Sequence, residues 1–372
     1  MSAPAPPRAT APPLSAPEAR VAARARRGRT LRLGRRGAVS LRVEGRSLAV
    51  CLVITAVVAA VSALSLTTGD YPIGVPGVLR ALVGRGEGAD EFIVLGLRLP
   101  RLVTGLLVGV ALGVAGAVFQ LVTRNPLGSP DVIGFTHGAV SGALLVMLVL
   151  GGSGIDVAVG AVAGGFASAL LVYLLSRGGG GVQGYRLILV GIGTSAALQA
   201  VNNYLLTRAE VEEAQAAQVW ITGSLNGRGW EQAAPLGAGL LVLLPALLLT
   251  SRALGMLDLG DDAARALGVR VDRVRVGVLL AAVTATALAA MAAGPVAFVA
   301  LAAPQVARRL TGTVGPGLVA AGLTGALLVV VSDFAAQRVF APTQLPVGVV
   351  TGAVGGLYLA YLLVGQWRRG RG

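Results

Sequence analysis

The sequence contains no lysine, so all 31 of its basic residues are arginine. The phosphate-binding loop of an ATPase and a Schiff base both require lysine, so neither can be present in this chain. One histidine, His137, and one cysteine, Cys51, cannot form an intramolecular disulfide or supply the ligands of zinc, haem or an iron–sulfur cluster. We therefore expect no metal or cofactor in this chain, no catalytic residues and no enzymatic activity of its own.

Charged residues are scarce, and apolar residues dominate. Only 13% of the residues are charged, 55% are hydrophobic, and the mean hydropathy is +0.76, well above that of a chain that folds in water. A helix needs about 20 apolar residues to cross a hydrocarbon core of about 30 Å. Uncharged runs near or above this length occupy residues 48–66, 102–123, 132–155, 157–176, 187–207, 232–251, 276–307, 310–332 and 339–367. The sequence therefore predicts an integral membrane protein.

The longest of these nine runs, residues 276–307, should contain two helices. It has 32 residues, and Gly294-Pro295 lies near its middle, where proline would break a continuous helix. A break there gives ten segments, of which the eighth, from residue 296 to about residue 309, is short. We predict an all-α, polytopic bundle of about ten transmembrane helices.

The arginines indicate which side of the membrane the termini face. With ten segments both termini lie on one side, which receives 11 arginines from residues 1–47, ten from loops and three from the C-terminal end, against seven on the other side. Arginine excess marks the cytoplasmic face, so both termini should be cytoplasmic and the chain should lie in the cytoplasmic membrane. The net charge of +14 is then explained by the arginines that orient the chain in the membrane, and we expect no nucleic-acid partner.

Three regions follow from this topology. Residues 1–47 are rich in Pro, Ala and Arg and poor in large apolar residues, so they should form a disordered, basic cytoplasmic tail. Residues 48–367 should form the transmembrane domain, and residues 368–372 should form a short second cytoplasmic tail.

The chain is interrupted at two matching places. The second segment is followed by Arg124-Asn125-Pro126-Leu127-Gly128-Ser129-Pro130, and the seventh is followed by Gly294-Pro295. The interruptions are five segments apart, and a shift by an odd number of segments inverts orientation. Segments two to five and seven to ten are therefore predicted to be inverted repeats, an arrangement typical of transporters. The alternative is that Pro and Gly are simply common in membrane helices.

Glycines recur every four residues in three segments. They are Gly105, Gly109 and Gly113, then Gly160 and Gly164, and then Gly352 and Gly356. Such faces let two helices approach closely, so we expect a tightly packed bundle.

Five short motifs occur in order along the segments. They are Arg98-Leu99-Pro100-Arg101; Arg124-Asn125-Pro126-Leu127 with Pro130 and Gly134; Leu259-Gly260-Asp261-Asp262-Ala263-Ala264-Arg265-Ala266-Leu267-Gly268; Gly294-Pro295-Val296-Ala297-Phe298-Val299 with Pro304 and Arg308; and Leu345-Pro346-Val347-Gly348-Val349-Val350-Thr351. With these motifs, nearly all of the chain after residue 47 resembles the FecCD-type permeases of iron-siderophore, haem and cobalamin ABC importers, and it is similar to the cobalamin importer permease.

This resemblance implies the permease subunit of an importer that moves a ferric siderophore across the cytoplasmic membrane, with haem or cobalamin as alternative cargo. It implies an ATP-binding subunit that holds ATP and Mg²⁺, a substrate-binding lipoprotein or periplasmic protein, and a second permease copy, identical or paralogous. The alternative outside the family is an ion-coupled secondary transporter. Proton coupling usually needs several buried acids or histidines, and the segments offer few beyond Asp333 and His137.

The longest loop on the cytoplasmic side, residues 252–275, should contain a short surface helix. Its acidic start and its closing glycine are typical of a helix that begins and ends within the loop. The resemblance identifies this helix as the coupling helix that docks on the ATPase, through Gly260, Asp261, Asp262, Ala264, Arg265, Leu267 and Gly268. The alternative is a solvated loop helix without a partner.

Three arginines are expected at the outer face. Arg98, Arg101 and Arg338 could pair with carboxylates of a substrate-binding protein, or they could simply reach towards the membrane interface. The family arginine before segment ten aligns with Gln337, next to Arg338. We expect Asp333 to pair with Arg338 or to cap a helix, and we expect His137 and Cys51 to be packing or hydrogen-bonded residues.

The interrupted segments should line the translocation pathway. The predicted lining residues are Asn125, Pro126, Gly134, Gly294, Pro295 and Phe298. The chain departs from the family at two positions, with Gln305 in place of histidine and Gln344 in place of glutamate. Since glutamine does not titrate, neither position can exchange a proton.

Overall fold

The chain divides into two compact units. The computed structural model describes residues 29–33, 39–131, 134–178, 181–182, 184–312, 315–339 and 341–369. Residues 1–49 and 50–372 form separate units. In the first, Arg29–Leu33 (β1) and Val39–Val43 (β2) pair as antiparallel strands. The rest of the tail predicted to be disordered, residues 1–28 and 34–38, lies outside the described residues, so that prediction remains untested.

Most described residues from residue 45 onward are helical. In chain order the helices are α1 (Gly45–Thr67), α2 (Val75–Leu82), α3 (Ala89–Thr123), α4 (Phe135–Leu148), α5 (Ile155–Ser176), α6 (Gly184–Arg208), α7 (Val211–Ile221), α8 (Trp230–Leu249), α9 (Ser251–Leu257), α10 (Asp261–Ala266), α11 (Val271–Ala293), α12 (Val299–Thr311), α13 (Leu318–Arg338) and α14 (Val347–Arg369). Seven residues of α3, Phe92–Arg98, are wound as a π-helix. Between α5 and α6, the two-residue strands Arg177–Gly178 (β3) and Gly181–Val182 (β4) pair with each other.

Each of the ten predicted segments contains a helix, namely α1, α3, α4, α5, α6, α8, α11, α12, α13 and α14. Among the described residues, six of these helices are long and apolar enough to cross a membrane: α1, α3, α5, α8, α11 and α13. The predicted helical membrane protein is therefore confirmed, whereas the number of ten spans remains a prediction. The structure adds α2, α7 and α9, which the apolar runs did not predict.

Both predicted interruptions are present. Helix α3 ends because Arg124 adopts a left-handed φ of 50° and Pro126 follows, and α4 begins only at Phe135. Helix α11 ends where Gly294 has a φ of 71° and precedes Pro295. Proline lacks the N–H that would continue the helix, so local chemistry is sufficient to explain both breaks.

Helix α3 is the centre of the bundle. It packs against α8, α11, α12 and α13. In its most apolar stretch 72% of the residues are buried, compared with 6% in α1. The residues that position the candidate site are therefore arranged around one buried helix.

Two of the three predicted glycine faces bring helices into backbone contact. A Cβ atom added to Gly109 on α3 would lie 2.4 Å from the carbonyl oxygen of Gly325 on α13, and one on Gly142 of α4 would lie 2.0 Å from that of Gly160 on α5. The glycines of the third face, at 352 and 356, have no such neighbour within 4 Å. The predicted tight packing is confirmed for the α3–α13 and α4–α5 pairs.

Candidate functional site

A cavity of about 770 Å³, which we call the main cavity, lies beside the second interruption. Pro295 and Phe298, both predicted pathway residues, line it. Phe298 has a left-handed φ of 65°, which is strained for a bulky residue, at the start of α12. A Cβ atom at Gly355 of α14 would lie 2.3 Å from the Phe298 Cβ. The absence of a side chain at Gly355 therefore makes room for Phe298.

Polar side chains from α4, from α6 and from the loop before α4 form another wall of this cavity. They are Asp131, Thr136, His137, Gln199, Asn202 and Asn203. The Thr136 hydroxyl donates to the Asp131 carboxylate, and the Ser141 hydroxyl donates to the Asn202 Oδ1 at 2.6 Å. The Asn202 amide in turn donates to the His137 carbonyl oxygen at 3.4 Å. His137 is hydrogen-bonded through its backbone, as expected, but it also lines the cavity.

The remaining predicted pathway residues lie elsewhere. Gly294 ends α11, and the backbone of Trp220 lies close to it. Gly134 packs against α5, where the Ser168 hydroxyl donates to its carbonyl oxygen at 2.9 Å. The six residues therefore do not form one lining, and their role in the pathway remains a prediction.

Asn125 and Pro126 line a second, smaller cavity of about 330 Å³, which we call the arginine cavity. Its lining also includes Gln120, Arg124, Asp258, Gln305, Arg308 and Arg309. The Gln305 amide donates to the Pro126 carbonyl oxygen at 2.6 Å, so this side chain connects α12 to the chain that follows α3.

The predicted surface helix is present as α10, with Gly260 at its start and Gly268 in a left-handed conformation after its end. Ala264 is fully buried, whereas Asp262, Arg265 and Leu267 are exposed. The pair between Asp262 and Arg265, at 3.1 Å, is solvated and contributes little to stability. Among the predicted coupling residues, Ala264 therefore packs against the protein, whereas Asp262, Arg265 and Leu267 form an exposed outer face.

Asp261 joins α10 to two long helices. Its carboxylate accepts hydrogen bonds from Arg275 Nη2 at 2.8 and 2.9 Å, and it also pairs with Arg124, whose Nε donates to the Leu257 carbonyl oxygen. Partial burial would raise the pKa of Asp261, but hydrogen bonds and charge from Arg275 and Arg124 outweigh it and lower the pKa below its ordinary value. A single ionised carboxylate therefore connects the end of α3 and the start of α11 to the exposed helix.

At the other end of α3, the predicted docking arginines all bind groups of their own chain. Arg98 donates to the carbonyl oxygens of Leu66 and Tyr71. Arg338 donates to the Thr68 carbonyl oxygen at 2.8 Å and lies 3.8 Å from the exposed Asp70 carboxylate. These contacts fix the chain that follows α1.

The prediction that Asp333 pairs with Arg338 or caps a helix is wrong, because its partner is Arg101. Arg101 donates from Nη2 to Asp333 Oδ1 at 2.8 Å and from Nε to Oδ2 at 3.0 Å, and the two side chains are only 15% and 10% exposed. Gln337 donates to the same carboxylate at 2.7 Å, and Gln344 accepts from Arg101 at 3.3 Å. Gln337 and Gln344 thus complete the hydrogen bonding of this ion pair.

Replacing Asp333 by Asn should lower the free energy of unfolding by about 3–5 kcal/mol, because Arg101 would remain buried without its counter-charge. Thermal or denaturant unfolding of the purified chain in detergent measures this. The matched control is Asp70→Asn, which removes a carboxylate that is 96% exposed and should leave stability within experimental error. Equal stabilities of the two variants would contradict a structural role for the pair.

Comparison with known proteins identifies the family. Residues 31–365 match the model of the FecCD transport family. The chain belongs to this family.

Curated relatives of this FecCD chain include permeases of known transport systems. It is 43% identical to the ferric enterobactin transport system permease protein FepG of Escherichia coli (strain K12), over 88% of this chain and 99% of the relative. It is 38% identical to the achromobactin transport system permease protein CbrC of Dickeya dadantii (strain 3937), over 88% and 93%. Among solved structures, an inward-facing metal-chelate type ABC transporter matches with a TM-score of 0.77 at 26% identity, covering 86% of this chain and 99% of that chain.

The polar wall of the FecCD chain's main cavity is the feature that the sequence analysis missed. Gln199, Asn202 and Asn203 lie within an otherwise apolar run and share one helix face, because positions three and four apart are neighbours. This clustering of amides on a single face was the signal that could have predicted a polar lining. Asp131 had no comparable signal, since it is a single carboxylate in a loop.

Proposed function

We propose that this chain is the membrane-spanning permease subunit of an ABC importer and that its cargo is a ferric siderophore. The observation that carries the proposal is the connection of an exposed helix, α10, through Asp261 to α3 and α11. An energy source outside the chain could act on such a helix and thereby move the helices around the cavity. The named cargo of the FepG and CbrC relatives supports a siderophore.

The proposed topology places the Arg124 end of α3 at the cytoplasmic face. All ten predicted segments would then span or enter the membrane, both termini would be cytoplasmic, and α3–α6 and α11–α14 would be the inverted repeats. The arginine distribution supports this orientation. The assembly would contain a second permease copy, either identical or a paralogue.

The outer face of α10 is proposed to dock on a separate ATP-binding subunit. Asp262, Arg265, Leu267 and the exposed Leu259 would form this contact, with Gly260 and Gly268 setting the ends of the helix and Ala264 packing inward. ATP and Mg²⁺ would be bound by the partner, because no lysine is available here for a phosphate-binding loop.

At the opposite face we propose docking of a substrate-binding lipoprotein or periplasmic protein. Each of Arg98, Arg101 and Arg338 already binds its own chain, but a guanidinium has five N–H donors and can share them with a carboxylate of a partner. Arg101 would contribute least, since Asp333 compensates its charge. Single arginine-to-glutamine variants should therefore weaken binding-protein affinity more at Arg98 and Arg338 than at Arg101.

The cavity volume of about 770 Å³ falls in the range of about 300–1,000 Å³ that encloses a drug-sized molecule. Its amides can hydrogen-bond oxygen atoms of many chelators without strong charge attraction, which suits passage better than tight binding. Haem and cobalamin remain the competing cargoes.

Reconstitution tests the proposal. The permease should co-purify with an ATPase whose hydrolysis rises with loaded binding protein, and proteoliposomes should import radiolabelled ferric siderophore only when ATP is supplied. A panel of catecholate, citrate and hydroxamate chelates, with haem and cobalamin, identifies the cargo. Import at full rate without the ATPase would instead establish an ion-coupled carrier.

A further inference from the structure

We infer that the arginine cavity is an anion-binding site, which receives negatively charged oxygen atoms of the cargo as it leaves the main cavity. Its role in transport rests on the proposed function, whereas anion binding itself does not. Three guanidinium groups line the cavity, those of Arg124, Arg308 and Arg309, against one carboxylate, that of Asp258. The lining therefore carries more guanidinium than carboxylate charge, and Asp261, which pairs with Arg124, is shared with Arg275.

Arg308 is held in a fixed position. Its Nη2 donates to Gln120 Oε1, and the Gln120 amide nitrogen donates to the Leu301 carbonyl oxygen at 3.0 Å. Gln120 is 2% exposed, so its two hydrogen bonds fix both its orientation and that of the guanidinium. The described hydrogen bonds use one of the five N–H donors of Arg308, and the group lines the cavity. A preorganised guanidinium of this kind suits carboxylate, phenolate or phosphate oxygens.

The two cavities differ in charge. The described lining of the main cavity contains Asp131 and no arginine, whereas the arginine cavity carries the excess positive charge. A ferric chelate with carboxylate or catecholate ligands carries net negative charge whenever the negative charges of its deprotonated oxygen groups outnumber the three positive charges of iron. Such cargo would be drawn from the main cavity towards Arg308, while a neutral chelate would experience less attraction.

Thermal unfolding of the purified full-length chain tests the site directly. Inorganic phosphate and ferric citrate, compared with chloride at equal ionic strength, should raise the unfolding temperature of the native chain in a saturable way, because a ligand bound to the folded state stabilises it. In Arg308→Gln the apparent affinity should fall at least tenfold, and Arg308→Lys should recover part of it. The matched control is Arg273→Gln, which removes a charge from an exposed position of α11 and should respond as the native chain does.

The outcomes of these measurements distinguish a cargo site from a lipid headgroup site and from no anion site. Equal phosphate and ferric citrate responses in the native chain and Arg308→Gln would overturn the site and leave Arg308 as a helix-terminal charge. A response to phosphatidylglycerol in detergent, but not to ferric citrate, would assign the cavity to lipid headgroups and overturn the cargo role. In proteoliposomes, Arg308→Gln should slow import of an anionic chelate more than that of a neutral one. Failure of the native complex to import any chelate would refute the proposed function while the binding result stands.

Discussion

Asp261→Asn should uncouple the transporter, with import falling at least tenfold while the partner ATPase continues to hydrolyse ATP. The substitution removes the negative charge that Arg275 and Arg124 share, and hydrogen bonds to charged groups contribute about 1.5–3 kcal/mol each. Without them α10 would remain in place by the packing of Ala264 but would no longer move with α3 and α11. Import and ATP hydrolysis, measured in the same proteoliposomes, separate this outcome from simple misfolding, which would lower both.

The matched control is Asp272→Asn, which removes the same charge from an exposed position in the first turn of α11. It should import at close to the native rate. Because Asp261 acts through its arginines, adding Arg275→Gln to Asp261→Asn should lower import little further, a non-additivity expected of residues in one network. Native import by Asp261→Asn, or an equal loss in the Asp272 variant, would contradict the proposed connection.

Gly109→Val should prevent assembly of the bundle. The first side-chain atom would already lie 2.4 Å from the Gly325 carbonyl oxygen, so α3 and α13 would have to separate along their whole contact. Overpacking of this kind typically costs about 1–3 kcal/mol, and we expect at least the upper value because the nearest neighbours, on Gly325 and Ala326, are all backbone atoms. Thermal unfolding and the yield of monodisperse protein in detergent measure the effect.

Gly277→Val is the matched control for this prediction. Gly277 lies within α11, is exposed, and a Cβ atom there would have no neighbour within 4 Å. The variant should be folded and close to native stability. If both valine variants unfolded at the same temperature, close packing of α3 and α13 would not be the source of the glycine requirement.

Features that depend on local chemistry could be predicted from the sequence. The break at Gly294-Pro295 follows from proline's missing donor, and α10 follows from its acidic start and final glycine. The partner of Asp333 could not be predicted, because Arg101 lies 232 positions away and a nearer arginine was available at 338. For the same reason the shared contact of Arg124 and Asp261, 137 positions apart, became visible only in the structure. Composition indicates that the helices lie in a lipid bilayer, but it does not indicate which charged residues form ion pairs between helices.

The contacts of Arg98 and Arg338 have a consequence for the order in which the protein matures. Helix α1 buries only 6% of its most apolar stretch, and the chain that follows it is held by these two arginines. Thr68 and Arg338 are 270 positions apart, so the ribosome has synthesised most of the polypeptide before that contact can form. The contact of Arg98 with Leu66 spans only 32 positions and can form once α3 is synthesised, whereas that of Arg338 must wait for α13, so the segment after α1 gains its two arginine contacts at different stages of synthesis.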